Sequence, residues 1–181
     1  MNLHKKSGVS TTRRILGVDP GLRRLGYACI SGNTKPKLHE GGVITSNADD
    51  SLAERVHEIA EGLASVMDEF QPTEIAIEQV MSLKINPKSA LMLAHARGAI
   101  LFVAQQRKIP IAHYTPTQMK RLLTGSGKAD KEQIQRVVQE EFQLAQLPEP
   151  HDVADALSLA LCHFHSTATA MSQSFEDLPD S

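Results

Sequence analysis

The sequence predicts an α/β protein in which helices cover a mixed, five-stranded sheet. Three strand-like segments follow one another near the start of the chain, and two later ones alternate with helical segments. The last third of the chain has the pattern of helices alone. A group of strands followed by strands that alternate with helices is typical of a mixed sheet with helices packed on it.

The first three strands are predicted to be antiparallel. Short apolar runs at Ile15–Val18 and Leu25–Ile30 are separated by a basic turn, and the segment PKLHEGGVITS has the pattern of a third strand. Because glycines occur in and between these runs, residues 14–45 predict a three-stranded meander joined by short turns.

The later elements follow from changes in apolar spacing. Apolar residues recur at intervals of three and four from Leu52 to Phe70, which predicts an amphipathic helix that Pro72 ends. The segments TEIAIEQ and IPIAHY predict the fourth and fifth strands, on either side of a helix over residues 88–107. Further helices are predicted at about 116–124, 131–143 and 151–165.

The helix predicted over residues 88–107 is apolar on nearly every side. Its segment ALMLAHARGAILFVA leaves no broad polar face, so more than one side must be buried. Two explanations stay open with equal weight: a central core helix, or a helix that packs on the core and also on a second subunit.

Composition limits the partners and the compartment. The chain has 181 residues, the length of one domain, and its 19 Lys and Arg against 21 Asp and Glu give a formal net charge of −2. Any basic surface that binds nucleic acid must therefore be local. Cys29 and Cys162 lie in apolar stretches without disulfide or metal spacing, and the chain shows neither a secretory signal nor an apolar run that could span a membrane. We expect a cytoplasmic protein.

Four acidic residues lie at the ends of predicted elements. Asp19 ends the first strand and Glu78 ends the fourth, whereas Asp152 and Asp155 are three residues apart at the start of the last helix. Residues three apart share one face of a helix, so all four carboxylates can converge at one edge of the sheet.

Structural explanations exist for three of these acids taken singly. The motif DPG is a turn signal that explains Asp19, Glu78 could face solvent, and Asp152 complements the dipole of a helix start. Asp155 is harder to explain because it interrupts an apolar run. Four carboxylates held together would cost several kcal/mol without a cation or a proton. The cluster therefore predicts a hard divalent metal, Mg²⁺ or Mn²⁺ rather than zinc.

Five segments together resemble the RuvC family of Holliday junction resolvases. They are ILGVDPGLRRLGYACI, IAIEQV, ALMLAHARGAI, TPTQMKRLLTGSGKADKEQIQ and HDVADALSLALCH, which match in order and spacing from about Ile15 to His165. The motif DPG alone is weakly specific, but this ordered set is highly specific.

The resemblance implies an RNase H-like fold and a homodimer that cuts two opposed strands of a four-way DNA junction, symmetrically, in recombination and repair. It implies that Asp19, Glu78, Asp152 and Asp155 are catalytic ligands of two Mg²⁺ ions, for which Mn²⁺ can substitute. It also implies a branch-migration motor of the RuvA and RuvB type as a partner. We expect an RNase H-like nuclease domain at residues 13–167, between a disordered tail at 1–12 and a disordered acidic tail at 168–181.

Lysines supply the expected DNA contacts. Lys120 and Lys131 match family lysines that contact DNA. The segment TGSGKADKEQI predicts a glycine loop before a helix that Asp130 caps with Gln133 in a capping box. Lys128 and Lys131 beside the helix amides would form an anion site. The alternative, which is preferable without the resemblance, is a solvated loop and a capped helix.

Met81 stands where many family members carry a phenylalanine that wedges against bases at the crossover. A methionine can pack on a base but cannot stack as a flat ring. Met81 either keeps part of that role or only packs within its loop.

Three other functions compete with junction cleavage. An RNase H-like nuclease could act on RNA or on other branched DNA. An actin-like ATPase or sugar kinase also uses an Asp and a glycine turn between strands, but it needs a second phosphate hairpin and a longer chain. A non-catalytic DNA-binding protein would have no use for Asp155 at the edge of a buried helix face.

Overall fold

The computed structural model describes residues 12–79 and 86–176, with side chains as far as residue 166. These residues form five strands and five helices. In chain order they are β1 (Arg14–Asp19), β2 (Arg24–Ser31), β3 (Lys37–Thr45), α1 (Leu52–Phe70), β4 (Glu74–Glu78), α2 (Pro87–Gln106), β5 (Ile111–Tyr114), α3 (Pro116–Thr124), α4 (Lys131–Phe142) and α5 (His151–Glu176).

The five strands form one sheet in the order β3-β2-β1-β4-β5. β2 pairs antiparallel with both β1 and β3, whereas β4 pairs parallel with both β1 and β5. The predicted mixed sheet with an antiparallel meander at its start is therefore confirmed. β1 lies at the centre of the sheet, between the antiparallel and the parallel parts.

Each face of the sheet has its own hydrophobic core. Along β1, Leu16 and Val18 are buried on the face that α1 and α2 cover, together with Leu63 and Ile100. Ile15 is buried on the opposite face, which α5 covers with help from α3 and α4. Successive residues of a strand point to opposite faces, so each strand contributes to both cores.

Two glycines allow α5 to lie directly against the sheet. A Cβ atom at Gly17 in β1 would lie 2.0 Å from the carbonyl oxygen of Ala156, and one at Gly26 in β2 would lie 2.1 Å from that of Asp152. Any side chain at these positions would push the helix away. The absence of side chains at Gly17 and Gly26 thus fixes the depth at which the start of α5 is placed.

α5 is longer than its sequence pattern predicts. It continues past residue 165 to Glu176, into the segment predicted to be a disordered tail. The apolar periodicity that defined the predicted end stops earlier, but no Gly or Pro occurs from Ser166 to Glu176 to stop the helix.

α2 is buried on one side and exposes apolar residues on the other. Ala96, Ile100 and Val103 are fully or almost fully buried, whereas the side chains of Leu91 and Phe102 are 56% and 62% exposed. The exposed apolar positions form a stripe along the helix, here called the α2 stripe: Leu91, Ala94, Gly98, Leu101 and Phe102. Packing against the core accounts for the apolar residues on only one side of this helix.

Across the described ranges, none of the helices has the length and apolar character needed to cross a membrane.

Candidate active site

Asp19 and Glu78 lie at the carboxyl ends of two neighbouring parallel strands. β1 and β4 pair in register, with Val18 beside Ile77, so the next residues of both strands reach the same edge of the sheet. Val18 and Ile77 belong to the core under α1 and α2. By strand alternation Asp19 and Glu78 therefore point to the opposite face, toward α5.

Asp152 and Asp155 come to this edge from the first turns of α5. The main chain of Asp152 packs against Gly26, which places the start of the helix beside β2. Each carboxylate is paired with a basic side chain. Nη2 of Arg24 lies 2.8 Å from Oδ2 of Asp152, and Nζ of Lys131 lies 2.9 Å from Oδ2 of Asp155.

Burial and the other three acids both act on the pKa of Asp19. Burial, followed by the charges of Asp155, Glu78 and Asp152, raises this pKa from 3.8 to about 7, and Lys131 opposes the rise. Burial and the charge of Asp155 also raise the pKa of Glu78. Asp19 is thus electrostatically coupled to each of the other three acids, and the assignment of the four as metal ligands stays a prediction.

The four side chains are of the type that binds a divalent cation, but they are not arranged as a metal site in this structure. All four donors are carboxylates, which Mg²⁺ and Mn²⁺ prefer, and a bound cation would relieve the unfavourable charge on Asp19. However, no three His, Cys, Asp or Glu side chains within the described ranges are arranged to hold a metal ion. Two of the four carboxylates are turned toward Arg24 and Lys131.

Lys120 and Lys131 lie beside the acids. Both line a cleft of about 270 Å³ together with Glu78 and Asp155, between α3, α4 and α5. The sequence assigned these two lysines to DNA contacts, and the fold places them next to the carboxylates.

The predicted capping box at the start of α4 is confirmed. The amide of Gln133 donates to Oδ1 of Asp130 at 2.8 Å, and the amide of Asp130 donates to Oε1 of Gln133 at 2.9 Å. Of the two lysines predicted to form an anion site here, Lys131 is ion-paired with Asp155, and Lys128 lines a cleft with Ser126 and Gln133. The anion site stays a prediction.

Met81, the predicted base contact, lies outside the described residues. Its role stays a prediction.

Two arginines of the site were not among the predicted site residues. Arg24 stands at the start of β2 and donates to Asp152. Arg97, on α2, donates to the carbonyl oxygen of Glu78 and lies 3.2 Å from Nδ1 of His113. The sequence carries a signal for Arg97, since it is a charged residue in an otherwise apolar helix. No comparable signal singles out Arg24 from the neighbouring Arg23.

Comparison with protein families gives a match over most of the chain. Residues 15–163 match the family model described as "Crossover junction endodeoxyribonuclease RuvC". This range contains the four acids and the three lysines named above. Proteins of that name from Rhodopirellula baltica and Shewanella woodyi are 44% and 39% identical to the chain. The first alignment covers 82% of this chain and 84% of the relative, and the second covers 87% and 90%.

Solved structures give the same match in three dimensions. The RuvC of Thermus thermophilus in complex with a Holliday junction substrate is similar with a TM-score of 0.82 and 30% identity, over 87% of this chain and 96% of that one. Another structure of Thermus thermophilus RuvC gives a TM-score of 0.79 at 31% identity, over 86% and 96%. The yeast mitochondrial resolvase Ydc2, at 16% identity and a TM-score of 0.54, shares the fold. The RNase H-like fold is therefore confirmed.

Proposed function

Because the chain belongs to the RuvC family of crossover junction endodeoxyribonucleases, we propose that it resolves four-way DNA junctions by paired, symmetric, Mg²⁺-dependent cuts in two opposed strands. Members of this family are metal-dependent nucleases, and this chain is accordingly a phosphodiester hydrolase. The observation that carries the proposal is the coupling of Asp19 to Glu78, Asp152 and Asp155 at one edge of the sheet.

We propose that Asp19, Glu78, Asp152 and Asp155 hold two Mg²⁺ ions. When bound, such ions supply an activated water and neutralise charge on the leaving oxygen of a phosphodiester. Asp19 is the central ligand in this proposal, since the other three carboxylates all act on its pKa. Asp19 lies at the end of a buried central strand, which holds its backbone in a fixed position.

Basic side chains of the site hold the acids before DNA arrives. Arg24 and Lys131 each neutralise one carboxylate, and both are about half exposed, at 47% and 51% of their side-chain surface. In this proposal, both ion pairs open when the carboxylates take up cations. The released guanidinium and ammonium groups then lie where a scissile phosphate would be placed, and Lys120 adds a third positive charge from the same cleft as Lys131.

We propose that the α2 stripe is the surface through which two copies of the chain associate. Cutting two opposed strands in concert needs two active sites, and each chain has one such cluster in its described part. Leu91 and Phe102 are more than half exposed on the stripe, and Gly98 between them would let another backbone approach closely.

The remaining partners rest on the family alone. We propose that a branch-migration motor of the RuvA and RuvB type presents the junction to the dimer. DNA contacts by Lys120, Lys128, Lys131 and Met81, and the cytoplasmic location, likewise stay predictions.

The test is cleavage of a synthetic mobile four-way junction. We expect paired nicks in Mg²⁺ and none in EDTA, with a linear duplex of the same sequence left uncut. Equal cleavage of the linear duplex, or preferential cleavage of a matched RNA or RNA–DNA substrate, would contradict the proposal and favour the more general RNase H-like nuclease.

A further inference from the structure

A cleft lined by basic residues lies on the face of the sheet opposite Lys120 and Lys131. It has a volume of about 420 Å³ and lies between the turn after β1 and the helices α1 and α2. Four basic residues line it, and none of the residues that line it is acidic. The four, which together define what we call the hairpin cleft, are Arg23, Arg24, Arg55 and Lys88.

The hairpin cleft adjoins the carboxylate cluster through Arg24. This residue lines the cleft, and its guanidinium Nε also donates to Oδ2 of Asp152 at 2.9 Å. The turn that supplies Arg23 directly follows Asp19. The acids therefore have Lys120 and Lys131 on one side and the hairpin cleft on the other.

Local contacts hold the cleft in shape. Nε of Arg55 donates to Oγ of Ser46 at 3.1 Å, and that hydroxyl donates to the carbonyl oxygen of Leu22 at 2.6 Å. Ser46 is buried, so α1 is fastened to the turn between β1 and β2. Lys88 lies in the first turn of α2. Its backbone amide donates to Oδ1 of Asn86, the N-cap of this helix, at 2.9 Å.

The positive charge of the hairpin cleft favours an anionic ligand. The whole chain has a formal net charge of −2, so four basic residues around one cleft are a strong local departure from the average. Arg24 is already paired with Asp152, whereas no acidic residue lines the cleft beside Arg23, Arg55 and Lys88, so an anion can pair with these three. An open groove lined by several basic side chains suits the successive phosphates of a DNA strand that passes over it.

We propose that the hairpin cleft binds backbone phosphates of the DNA strand being cut, on the side of the scissile bond away from Lys120 and Lys131. This inference rests on the proposed junction-cleaving function. The strand would then pass across the four acids with cations on both sides of the cut. Phosphate contacts of this kind fix register without reading sequence.

The experiment compares two double variants in an Asp19→Asn background, so that binding is measured without cleavage. Arg23→Gln with Lys88→Gln removes two charges from the hairpin cleft. Lys35→Gln with Lys37→Gln removes two exposed charges from a remote groove that also contains Glu140 and Glu141. Fluorescence anisotropy on a labelled four-way junction, repeated over a series of salt concentrations, gives the affinity and its salt slope.

We expect the hairpin-cleft variant to bind the junction about tenfold or more weakly at low salt, with the slope of log Kd against log salt reduced by about two. The Lys35 and Lys37 control should keep both values. An affinity and slope equal to the control's would overturn the inference.

A parallel cleavage assay with the wild-type chain separates this inference from the proposed function. Failure of the wild-type chain to cut any four-way junction would contradict the proposed function, whereas the salt slopes would still decide whether the cleft binds DNA phosphates.

Discussion

Nζ of Lys131 lies 2.9 Å from Oδ2 of Asp155, so a lysine that family resemblance assigns to DNA is ion-paired with a carboxylate proposed to bind metal. The charge of Lys131 also lowers the pKa of both Asp19 and Glu78 against the opposing effect of burial. Lys131 therefore acts on the charge state of the acids as well as on any phosphate nearby.

Replacing Lys131 by Gln should shift the pH dependence of cleavage. Loss of the ammonium raises the pKa of Asp19 further, so the carboxylate proposed to bind metal forms only at higher pH. We expect the acid limb of the pH–rate profile in Mg²⁺ to move upward relative to wild type. Lys131→Arg keeps the charge and should keep the position of the limb. Identical profiles for all three proteins would exclude this effect of Lys131.

Asp19→Asn should abolish metal-dependent cleavage while junction binding remains. The amide cannot supply the negative charge of the central ligand, and we expect a loss of about 10³-fold or more in the single-turnover rate. Rates come from a quenched cleavage assay and affinities from gel shift in EDTA. Asp49→Asn, at an exposed loop position, is the control and should cut normally. Normal cleavage by Asp19→Asn would contradict the proposed site.

The same substitution should stabilise the metal-free protein at high pH. Asp19 keeps its proton up to a pH of about 7 in the folded chain, compared with an ordinary pKa of 3.8. The folded state thus binds more protons than the unfolded state between these values, so the free energy of unfolding falls as pH rises from about 4 to about 7 and then levels off. We expect Asp19→Asn to gain about 2 kcal/mol in EDTA at pH 8 and little at pH 4. Urea unfolding at both pH values measures the difference, and an equal gain at both would exclude a charge effect.

Phe102→Glu should prevent self-association. The substitution places a carboxylate in the α2 stripe, where a partner would have to desolvate it. We expect a monomer by analytical ultracentrifugation at concentrations at which the wild-type chain is a dimer. Leu147→Glu, at an exposed apolar position in the loop before α5, is the matched control. A dimer that survives Phe102→Glu would rule out the α2 stripe as the interface.

Glu74→Gln should destabilise the fold without altering the acids of the site. Nε and Nη2 of Arg13 donate to Glu74 at 2.8 and 2.9 Å, and Nε2 of His163 lies 2.7 Å from the same carboxylate. Hydrogen bonds from Arg13 hold the pKa of Glu74 below its ordinary value, although burial opposes them. The stabilisation is therefore present above the ordinary pKa of 4.5 and is lost as pH falls through the lowered pKa.

We expect Glu74→Gln to lower the free energy of unfolding by about 2 kcal/mol at pH 7, measured by urea unfolding, and by less in acid. Glu132→Gln is the control, because Glu132 forms an exposed ion pair with Arg136 within α4 and should contribute nothing measurable. Equal stability of the two variants at pH 7 would contradict the role given to Glu74.

The positions of Asp19 and Glu78 could be predicted because strand alternation is local. Each of these acids follows a buried residue at the end of a short apolar run, so its face and its edge of the sheet depend on a few neighbours. The shared position of Asp152 and Asp155 could also be predicted, since helical spacing places both on one side of α5. The capping box of α4 is similarly a four-residue motif.

The counter-charges of the site could not be predicted in the same way. Arg24 and Asp152 are 128 residues apart in sequence, and Lys131 and Asp155 are 24 apart. Their meeting depends on how deeply α5 packs on the sheet and on where α4 is placed, which are properties of the tertiary fold. For the same reason Lys128 was grouped with Lys131 by proximity in sequence, although the two line different clefts.

Gly17 and Gly26 carry no functional group, yet a Cβ atom at either would collide with the main chain of α5. The placement of Asp152 and Asp155 beside β1 and β2 thus depends on the absence of side-chain atoms at two strand positions. A genetic screen for lost cleavage in this chain should therefore return substitutions at these two glycines alongside those at the acids. Such substitutions would leave every charged residue of the site unchanged, so the loss of cleavage could not be explained from the site residues alone.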